Sequence, residues 1–486
     1  MSEARPALDR IAVAGDGQVG VLAALALKRA LPACEITVVG LAPDPAAFAD
    51  HAATALPFTN KLHDRLGIRE DWIVARAGGS HRLVTRCFGW GEEGQHGPIA
   101  YGASADPLQS MAFGREWGGG SRTVTAREQP GSLAETLAGA GRFRTPPPDV
   151  ETPLAEVDYA LRWVPSAYRA LLIELAQQLG VRHVQARSIG VETDGAIGAK
   201  ALAIEGGSRI EADLFLDCSG PAAHLLRALP TCREREWSDT LPTRRVLVAR
   251  PGGPMLALED RISLLADGWL TELAGRDGLH TVLGVGERVS EAAAMQALAS
   301  PLQYAVELAP ARVAEPWIGN VIAIGDASAR FEPLGWLNLD LAHRQLALLL
   351  ELLPGKVIEP LERAEYNRRS GMMMDTARDT LALFYAAPRA RRVFASVTPQ
   401  HVSLTIDQFT RRGRLPFREE SPLFAEEQMA LLRAVGFERG TPPQFSAGDP
   451  RQIDAARQAF SARAQAALDY APPYQQWLAS VTGATG

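Results

Sequence analysis

Two glycine-containing segments, far apart in the chain, carry the residue types that bind a nucleotide. The first, "IAVAGDGQVG", places Gly15, Gly17 and Gly20 in a GxGxxG pattern directly after an apolar stretch. The first glycine of such a pattern allows a tight turn, the second lets the main chain approach a pyrophosphate, and the third lets a helix pack on a strand. Because a helix N-terminus presents free amides to an anion, Gln18 and Val19 are predicted cofactor contacts as well.

One residue expected of a dinucleotide site is absent from the first segment. About 20 residues after the last glycine, an acid normally accepts hydrogen bonds from the ribose hydroxyls. The second predicted strand ends instead at Gly40. Asp44, in "GLAPDP", is an alternative ribose ligand, although an aspartate between prolines is more often a turn former. We therefore expect the adenosine to be held more weakly than usual.

The second segment, "GNVIAIGDASARFEPL", ends an apolar stretch at Gly325 and Asp326. An aspartate at a strand end can hydrogen-bond a polyol such as a ribityl chain, and a helix N-terminus that follows it can meet a phosphate or the polar edge of a flavin. Two such segments about 300 residues apart suit a long ligand bound by a split domain. This spacing favours FAD over NAD.

The elements that would position these residues are those of an α/β fold. The first segment predicts a strand over 11–14, a buried helix over 19–31 and a second strand over 36–39. Further strands are predicted over 212–216, before "DCSG", and over 321–324. From residue 339 onward, apolar residues recur at steps of three and four, which is typical of helices.

Composition and charge exclude several other classes of protein. The chain has 486 residues, of which 47% are hydrophobic, and a net charge of -6 with Lys and Arg dispersed. These features argue against a nucleic-acid or membrane-surface partner and favour a small molecule. The polar start and the lack of an apolar run near 20 residues predict a cytoplasmic protein. The spacing of the four cysteines and nine histidines predicts neither a disulfide framework nor a metal site.

The chain resembles the flavin-dependent tryptophan halogenases from about residue 10 to about residue 445. The resemblance lies in "GDGQVGVLAALALKRALPACEITVV", "LPFTNKLHDRLGI", "ADLFLDCSG", "NVIAIGDASARFEPL" and "AEYNRRSGMMMDTARDTLALFY". It implies a split FAD-binding Rossmann-like module of the glutathione-reductase and aromatic-hydroxylase type over residues 1–350, with substrate-side loops inserted at about 69–154. A largely helical module over 351–486 would complete the chain.

The resemblance also implies the ligands and partners. Ile189 and Leu339 become further FAD contacts, and the FAD is reduced by a separate flavin reductase. The substrate is a small aromatic molecule of the tryptophan or indole type. A homodimer is the assembly predicted with these partners.

Two positions that carry the chemistry of that family are occupied by other residues. In the family, a hypohalous acid made with reduced FAD, oxygen and chloride reaches a lysine and a glutamate beside the substrate. The segment "GGSHRLVTRCFGW" places Arg82 at the lysine position, and "EPLGWLN" places Gly335 at the glutamate position. A guanidinium, whose pKa lies above about 12, keeps the positive charge but cannot become the neutral amine of a chloramine route. The alternative for Arg82 is an ion-pair partner exposed on a strand.

The halide-binding positions are changed in the same segment. Trp336 and Leu337 stand at the Ser-Thr pair of the family, and Asn338 stands at its glycine. An unpaired halide among apolar groups costs several kcal/mol. Trp336 could stack against the flavin ring or cap a core.

The WxWxIP motif that separates substrate from flavin in the family is also incomplete. In "WLTELA", Trp269 is retained, while Thr271, Leu273 and Ala274 replace the other three positions. Three hypotheses follow: an aromatic halogenase, a flavin monooxygenase that hydroxylates, and a protein that binds FAD or another ligand without turnover.

Overall fold

A computed structural model describes residues 6–91, 96–102, 132–147, 150–194, 198–440 and 450–483, and all structural statements below concern these residues. The chain forms two compact units. The first comprises Met1–Gly79, Trp163–Leu247 and Gln303–Arg378, and the second comprises Ser80–Arg162, Val248–Leu302 and Asp379–Gly486.

The strands are given in chain order: β1 (Arg10–Ala14), β2 (Glu35–Gly40), β3 (Ser80–Arg82), β4 (Val84–Phe88), β5 (His96–Ala100), β6 (Ala160–Arg162), β7 (Arg182–Gln185), β8 (Ile189–Thr193), β9 (Ala199–Ile204), β10 (Arg209–Glu211), β11 (Leu214–Asp217), β12 (Glu234–Glu236), β13 (Arg245–Ala249), β14 (Glu259–Leu264), β15 (Gly268–Ala274), β16 (Leu279–Val285), β17 (Leu302–Glu307), β18 (Ala311–Val313), β19 (Trp317–Ile318), β20 (Val321–Ala323) and β21 (Ala329–Arg330).

The described helices are α1 (Gln18–Ala30), α2 (Phe48–His51), α3 (Phe58–Arg65), α4 (Glu70–Arg76), α5 (Leu133–Gly139), α6 (Pro165–Gln178), α7 (Glu291–Leu298), α8 (Leu337–Glu351), α9 (Pro360–Ala386), α10 (Ala390–Val393), α11 (Gln400–Arg412), α12 (Ala425–Ala434), α13 (Pro450–Tyr470) and α14 (Tyr474–Thr482). None of them is both long enough and apolar enough to cross a bilayer.

The first unit is built on a six-stranded sheet of order β19-β20-β11-β1-β2-β7. Its strands run parallel except at the β19–β20 edge. The central strand β1 is buried on both faces, as parallel strands covered by helices are. Helix α1 is buried from Gln18 to Leu27, which explains its nearly all-apolar sequence. The predicted α/β fold is therefore confirmed.

Because β1, β11 and β20 run parallel, their carboxyl ends meet at one edge of the sheet. Three turns with small residues follow these strand ends: Gly15–Gly17, Cys218–Gly220 and Gly325–Ala327. Ligands of open α/β sheets bind at this edge. The fold thus places the two predicted cofactor segments next to each other.

The second unit contains an extended sheet in which β14 pairs with β15 and β4, β15 with β16, and β4 with β5. A separate two-stranded ribbon joins β3 to β6, with Arg82 opposite Ala160. Helices α10 to α14 also lie in this unit. Residues 103–131 of the predicted substrate-side insertion lie outside the described residues, and the predicted module boundaries at 350 and 351 stay a prediction.

Candidate functional site

The three glycines of the first segment lie where a side chain would collide with main chain or a neighbour. Gly15 has a φ of +100°, and a Cβ there would lie 2.1 Å from the carbonyl oxygen of Cys218. A Cβ on Gly20 would lie 2.0 Å from the carbonyl oxygen of Gly15. The turn and the close helix packing therefore depend on glycine at these positions.

At the N-terminus of α1, a main-chain amide that could bind an anion donates to a side-chain carboxylate of the protein itself. The Val19 amide donates to Oδ1 of Asp50 at 3.0 Å. A Cβ on Gly17 would lie 2.1 Å from the Asp50 carboxyl carbon, so the carboxylate rests directly against the glycine main chain. Burial raises the pKa of Asp50 to about 6, against the lowering effect of the Val19 hydrogen bond. A carboxylate thus holds the place that a phosphate takes at such helices.

Gln18, the next predicted contact, fixes the segment that carries Asp50. Its side-chain amide donates to the carbonyl oxygens of Ala49 at 2.7 Å and Ala52 at 2.8 Å. Its Oε1 accepts the indole N–H of Trp163 at 3.1 Å. The Gln18 side chain is therefore used inside the protein, and only its main chain is placed to meet a ligand.

The second segment meets the first at this point. Oδ2 of Asp326 accepts the Ala49 amide at 2.7 Å, one residue before Asp50. Gly325 has a φ of +66°, and a Cβ there would lie 3.6 Å from Val19 and 3.2 Å from Ala342. Segments about 300 residues apart in sequence are thus in contact, as a single long ligand requires.

Asp326 is a buried acid that, within the described part of the chain, has no cation as its hydrogen-bond partner. Besides the Ala49 amide, the side chain of Asn338 hydrogen-bonds to it. Burial raises the pKa of Asp326 to about 8, and the nearby Asp50 contributes in the same direction. A carboxyl group with such a pKa is largely protonated at neutral pH, and it can both donate to and accept from the hydroxyls of a ligand.

These residues fit an FAD molecule. Gly17 leaves a cradle that a Cβ would fill, the Val19 amide already holds an anionic group, and Asp326 offers a carboxyl to a polyol. Leu339, in the first turn of α8, is fully buried, and Ile189 is half-buried at the start of β8. Their contacts with FAD stay predictions.

The segment at the family glutamate and halide positions has an unusual backbone. Gly335 and Trp336 both adopt left-handed conformations, with φ values of +75° and +65°. Glycine tolerates this conformation, but a bulky residue in it is a conformational outlier. Trp336 is half-buried, Leu337 is buried in the first turn of α8, and the amide of Asn338 donates to the Phe331 carbonyl at 3.0 Å. The two interpretations of Trp336 stay open.

Arg82, at the family lysine position, lies in a buried ionic cluster of the second unit. Its guanidinium Nε is 3.3 Å from Oδ2 of Asp260, and both side chains are fully buried. The guanidinium also lies over the ring of Tyr101, at 5.2 Å from its centroid, and donates to Thr85 at 3.3 Å. The expected ion pair is present, but the prediction that it is exposed is wrong, because strands β3 and β14 both turn these side chains inward.

A second arginine completes this cluster. Nη2 of Arg162 is 2.9 Å from Oδ1 of Asp260, and its other contacts are main-chain carbonyls, including that of His81 at 3.0 Å. The Ala274 amide donates to the same Asp260 oxygen at 3.1 Å. Asp260 and Arg162 were not predicted from the sequence, where each stands alone among ordinary strand residues.

The C-terminal helix contributes to the strand that carries Arg82. The hydroxyl of Tyr474 accepts the His81 amide at 2.8 Å, and the rings of Phe143 and Trp477 lie within 5.3 Å of the His81 ring. Tyr474 and Trp477 of α14 therefore stabilise the strand that carries Arg82.

Trp269, the retained residue of the WxWxIP motif, is a core residue of β15. It is fully buried and its indole N–H donates to the Tyr385 hydroxyl at 3.0 Å. A Cβ on Gly284 would lie 2.1 Å from its ring, so the indole lies flat on the adjacent strand. Thr271, at the second tryptophan position, is also buried.

Comparison with known proteins identifies relatives over most of the chain. Residues 10–444 match the family model described as tryptophan halogenase. The tryptophan 7-halogenase RebH of Lentzea aerocolonigenes is 26% identical over 420 residues, which cover 80% of this chain and 78% of RebH.

Solved structures show the same fold at lower identity. Xcc4156, a flavin-dependent halogenase from Xanthomonas campestris, is 23% identical with a TM-score of 0.85, covering 98% of both chains. BrvH, a flavin-dependent halogenase from Brevundimonas sp. BAL3, is 21% identical with a TM-score of 0.84, covering 98% of this chain and 99% of BrvH. The predicted Rossmann-like FAD-binding fold is confirmed by this similarity.

Proposed function

The chain belongs to the tryptophan halogenase family, and on that premise we propose that it is an oxidoreductase that uses reduced FAD and oxygen on a small aromatic substrate of the tryptophan or indole class. The family uses FAD that a separate flavin reductase reduces. The observation that carries the proposal is the meeting of Val19, Gly325 and Asp326 at one edge of the parallel sheet. A homodimer stays the predicted assembly.

The residues of this edge have distinct roles toward the cofactor. Gly17 and the Val19 amide would hold the pyrophosphate in place of the Asp50 carboxylate, which accepts the same N–H group. Asp326 would hold a hydroxyl of the ribityl chain, and Asn338 orients the Asp326 carboxyl. FAD, when bound, would supply the chemistry with oxygen, and the buried apolar side chains of Leu337 and Leu339 would help to exclude water from this region.

A second candidate within this class is hydroxylation of the aromatic ring without halide. It is favoured by the residues that this chain has at the two positions that guide the halogenating agent in the family. Arg82 is fully buried and paired with Asp260, and Gly335 has no side chain with which to accept a proton. Withdrawing Arg82 from this buried pair is costly, because its guanidinium would lose its carboxylate partner and Asp260 would keep only Arg162.

Product analysis with and without halide tests both candidates. The protein is incubated with FAD, a flavin reductase, NADH, oxygen and a panel of indoles, in buffers that contain chloride, bromide or neither. Products that carry halogen support halogenation. Products that carry oxygen from ¹⁸O₂ in halide-free buffer support hydroxylation. A protein that binds FAD but converts no member of the panel in any buffer contradicts the proposed oxidoreductase and supports a binding protein without turnover.

The role of Arg82 is checked with the same assay. Arg82→Lys introduces the residue of the family, but it leaves Asp260 paired with Arg162. If hydroxylation is the native reaction, this variant should give no more halogenated product than the wild type. The matched control is Arg86→Lys, which alters a half-buried pair with Glu259 on the next strand.

A further inference from the structure

An acid from a different part of the chain lies beside the carboxyl end of β2. Oδ2 of Asp16 would lie 2.6 Å from a Cβ on Gly40, the last residue of β2. In nucleotide-binding α/β folds, the residue at this strand end is the acid that accepts hydrogen bonds from the adenosine ribose. Asp16 is the second residue of the GxGxxG pattern, so its carboxylate reaches the strand end from the glycine-rich turn.

Three side chains hold the Asp16 carboxylate in this place. Arg169 of α6 forms an ion pair with Oδ2, His183 of β7 lies 2.9 Å from it, and the Gln185 amide of β7 donates to it at 3.0 Å. All three contacts are made to the same oxygen. Oδ1 is therefore the oxygen that a ligand hydroxyl would meet.

Glycine at position 40 is what makes this arrangement fit. A Cβ there would lie 2.6 Å from both Oδ2 of Asp16 and the side-chain nitrogen of Gln185. An acid at position 40 would thus displace Asp16 and add a second negative charge beside it. Glycine in place of the usual acid therefore leaves the space that the Asp16 carboxylate occupies.

The groups that cover Asp16 can give access to a ligand. Asp16 is 2% exposed, but the Arg169 side chain is 35% exposed and Gln185 is exposed. The Arg169 side chain is long and can move aside without disturbing the sheet. The side-chain amide of Gln185 would remain beside the ligand's hydroxyls as a donor or acceptor.

Asp44, the other acid near this end of the sheet, is committed to its own turn. Its Oδ1 accepts the Ala46 amide at 2.8 Å, and its carbonyl oxygen lies 3.0 Å from Nε2 of His51. This is the turn-forming alternative expected for an aspartate between two prolines.

We propose that Asp16, with Gln185 beside it, recognises the vicinal diol of the adenosine ribose and takes over the role that an acid at the end of β2 has in related folds. Hydroxyl groups that donate to a carboxylate form short, charge-assisted hydrogen bonds. The inference rests on the use of FAD by the family, and it predicts tighter binding of adenosine than the missing acid on β2 alone would suggest. The 2′-hydroxyl becomes a determinant of affinity.

The test compares ADP with 2′-deoxy-ADP, because the two differ only in the hydroxyl under discussion. Affinities are measured by calorimetry with the full-length protein, together with FAD itself. The wild type should bind ADP about tenfold more tightly than 2′-deoxy-ADP, the ratio expected for one hydrogen bond to a charged group. In Asp16→Gly the ratio should fall to about one, and Asp44→Asn should keep the wild-type ratio.

Transfer of the acid back to β2 separates recognition from a purely structural role. Gly40→Glu alone should weaken both nucleotides, because the new side chain collides with Asp16. The double variant Asp16→Gly with Gly40→Glu should regain the preference for ADP, since the carboxylate then reaches the same hydroxyls from the strand. A structural role of Asp16 in its contacts with Arg169 would not be rescued in this way.

The outcomes that would overturn the inference are distinct from a failure of the cofactor assignment. A wild type that binds FAD but does not distinguish ADP from 2′-deoxy-ADP contradicts the inference, as does an unchanged ratio in Asp16→Gly. If Asp16→Gly does not fold, the isosteric Asp16→Asn is measured, and it must lower the ratio. A wild type that binds neither FAD nor ADP contradicts the use of FAD by this chain.

Discussion

Asp326 in the cofactor region and Asp260 in the ionic cluster are both buried aspartates, but they are compensated in opposite ways. Asp260 contacts two guanidinium groups and a main-chain amide. Asp326 is bonded by a main-chain amide and the amide of Asn338. A buried carboxylate with two cations is a structural element, whereas one held only by neutral donors is costly until a ligand or a proton arrives. The comparison separates a region whose buried acid has only neutral hydrogen-bond donors from one whose buried acid is neutralised by two arginines.

The largest effect is expected from Asp260→Ala. This variant leaves Arg82 and Arg162 buried without their carboxylate, and breaking a buried pair from one side costs about 3–5 kcal/mol. Urea unfolding of the full-length protein should show a loss of this size. The control Glu365→Ala removes an exposed partner of Arg368 and should change stability by less than about 1 kcal/mol. Equal losses in the two variants would contradict the structural role of the cluster.

Asp326→Asn should stabilise the folded protein, in contrast to Asp260→Ala, by an amount that depends on pH. The pKa of Asp326 is about 8 in the folded protein and 3.8 in the reference state, so the folded form binds the extra proton between these values. Its stability without ligand therefore falls as the pH rises from about 4 to about 8. Asparagine does not titrate, so the variant should be more stable than the wild type at pH 8, and this difference should shrink as the pH falls and vanish near pH 4.

Thermal unfolding at several pH values measures this difference. The control Asp71→Asn acts on an exposed acid whose pKa is lowered by its hydrogen bond with Arg69, so its small effect should be a loss at pH 8. A stability gap for Asp326→Asn that grows as the pH falls would be inconsistent with an uncompensated acid.

The cofactor region was predictable from sequence because its signals are local. The GxGxxG pattern, the strand predicted over 321–324 and the Gly325-Asp326 pair each follow from neighbouring residues. The predicted ends of these strands and of the first helix differ from the observed ones by at most one residue. Parallel pairing then brings the two segments together without further information.

The ionic cluster was not predictable for the opposite reason. Arg82, Arg162 and Asp260 lie on three strands that are about 80 and 100 residues apart in sequence, and each residue looks like an ordinary surface charge in its own strand. Only tertiary packing turns them inward. Asp16 was missed in a similar way, because its partners lie about 150 residues away on α6 and β7.

Gly17→Ala tests whether the cofactor region binds FAD. The new Cβ would lie 2.1 Å from the Asp50 carboxyl carbon and would fill the place of a phosphate. Overpacking of this kind costs about 2 kcal/mol, which corresponds to roughly 30-fold weaker binding of FAD. Titration followed by flavin fluorescence measures the affinity. Gly139→Ala is the matched control, since a Cβ there meets nothing within 4 Å and FAD binding should not change.

The smallest effect concerns the strained backbone at Trp336. Its φ of +65° costs a residue with a Cβ about 1 kcal/mol relative to glycine. Trp336→Ala and Trp336→Gly both remove the indole, so the difference between them isolates this strain, and the glycine variant should be more stable by about 1 kcal/mol in urea unfolding. If the two variants are equally stable, the segment relaxes when the indole is lost, and the left-handed turn is imposed by the tryptophan. If the expected difference is found, the turn is imposed by its surroundings. The chain then keeps a bulky residue beside the cofactor region against the preference of the backbone, which is the pattern expected where strain serves a ligand.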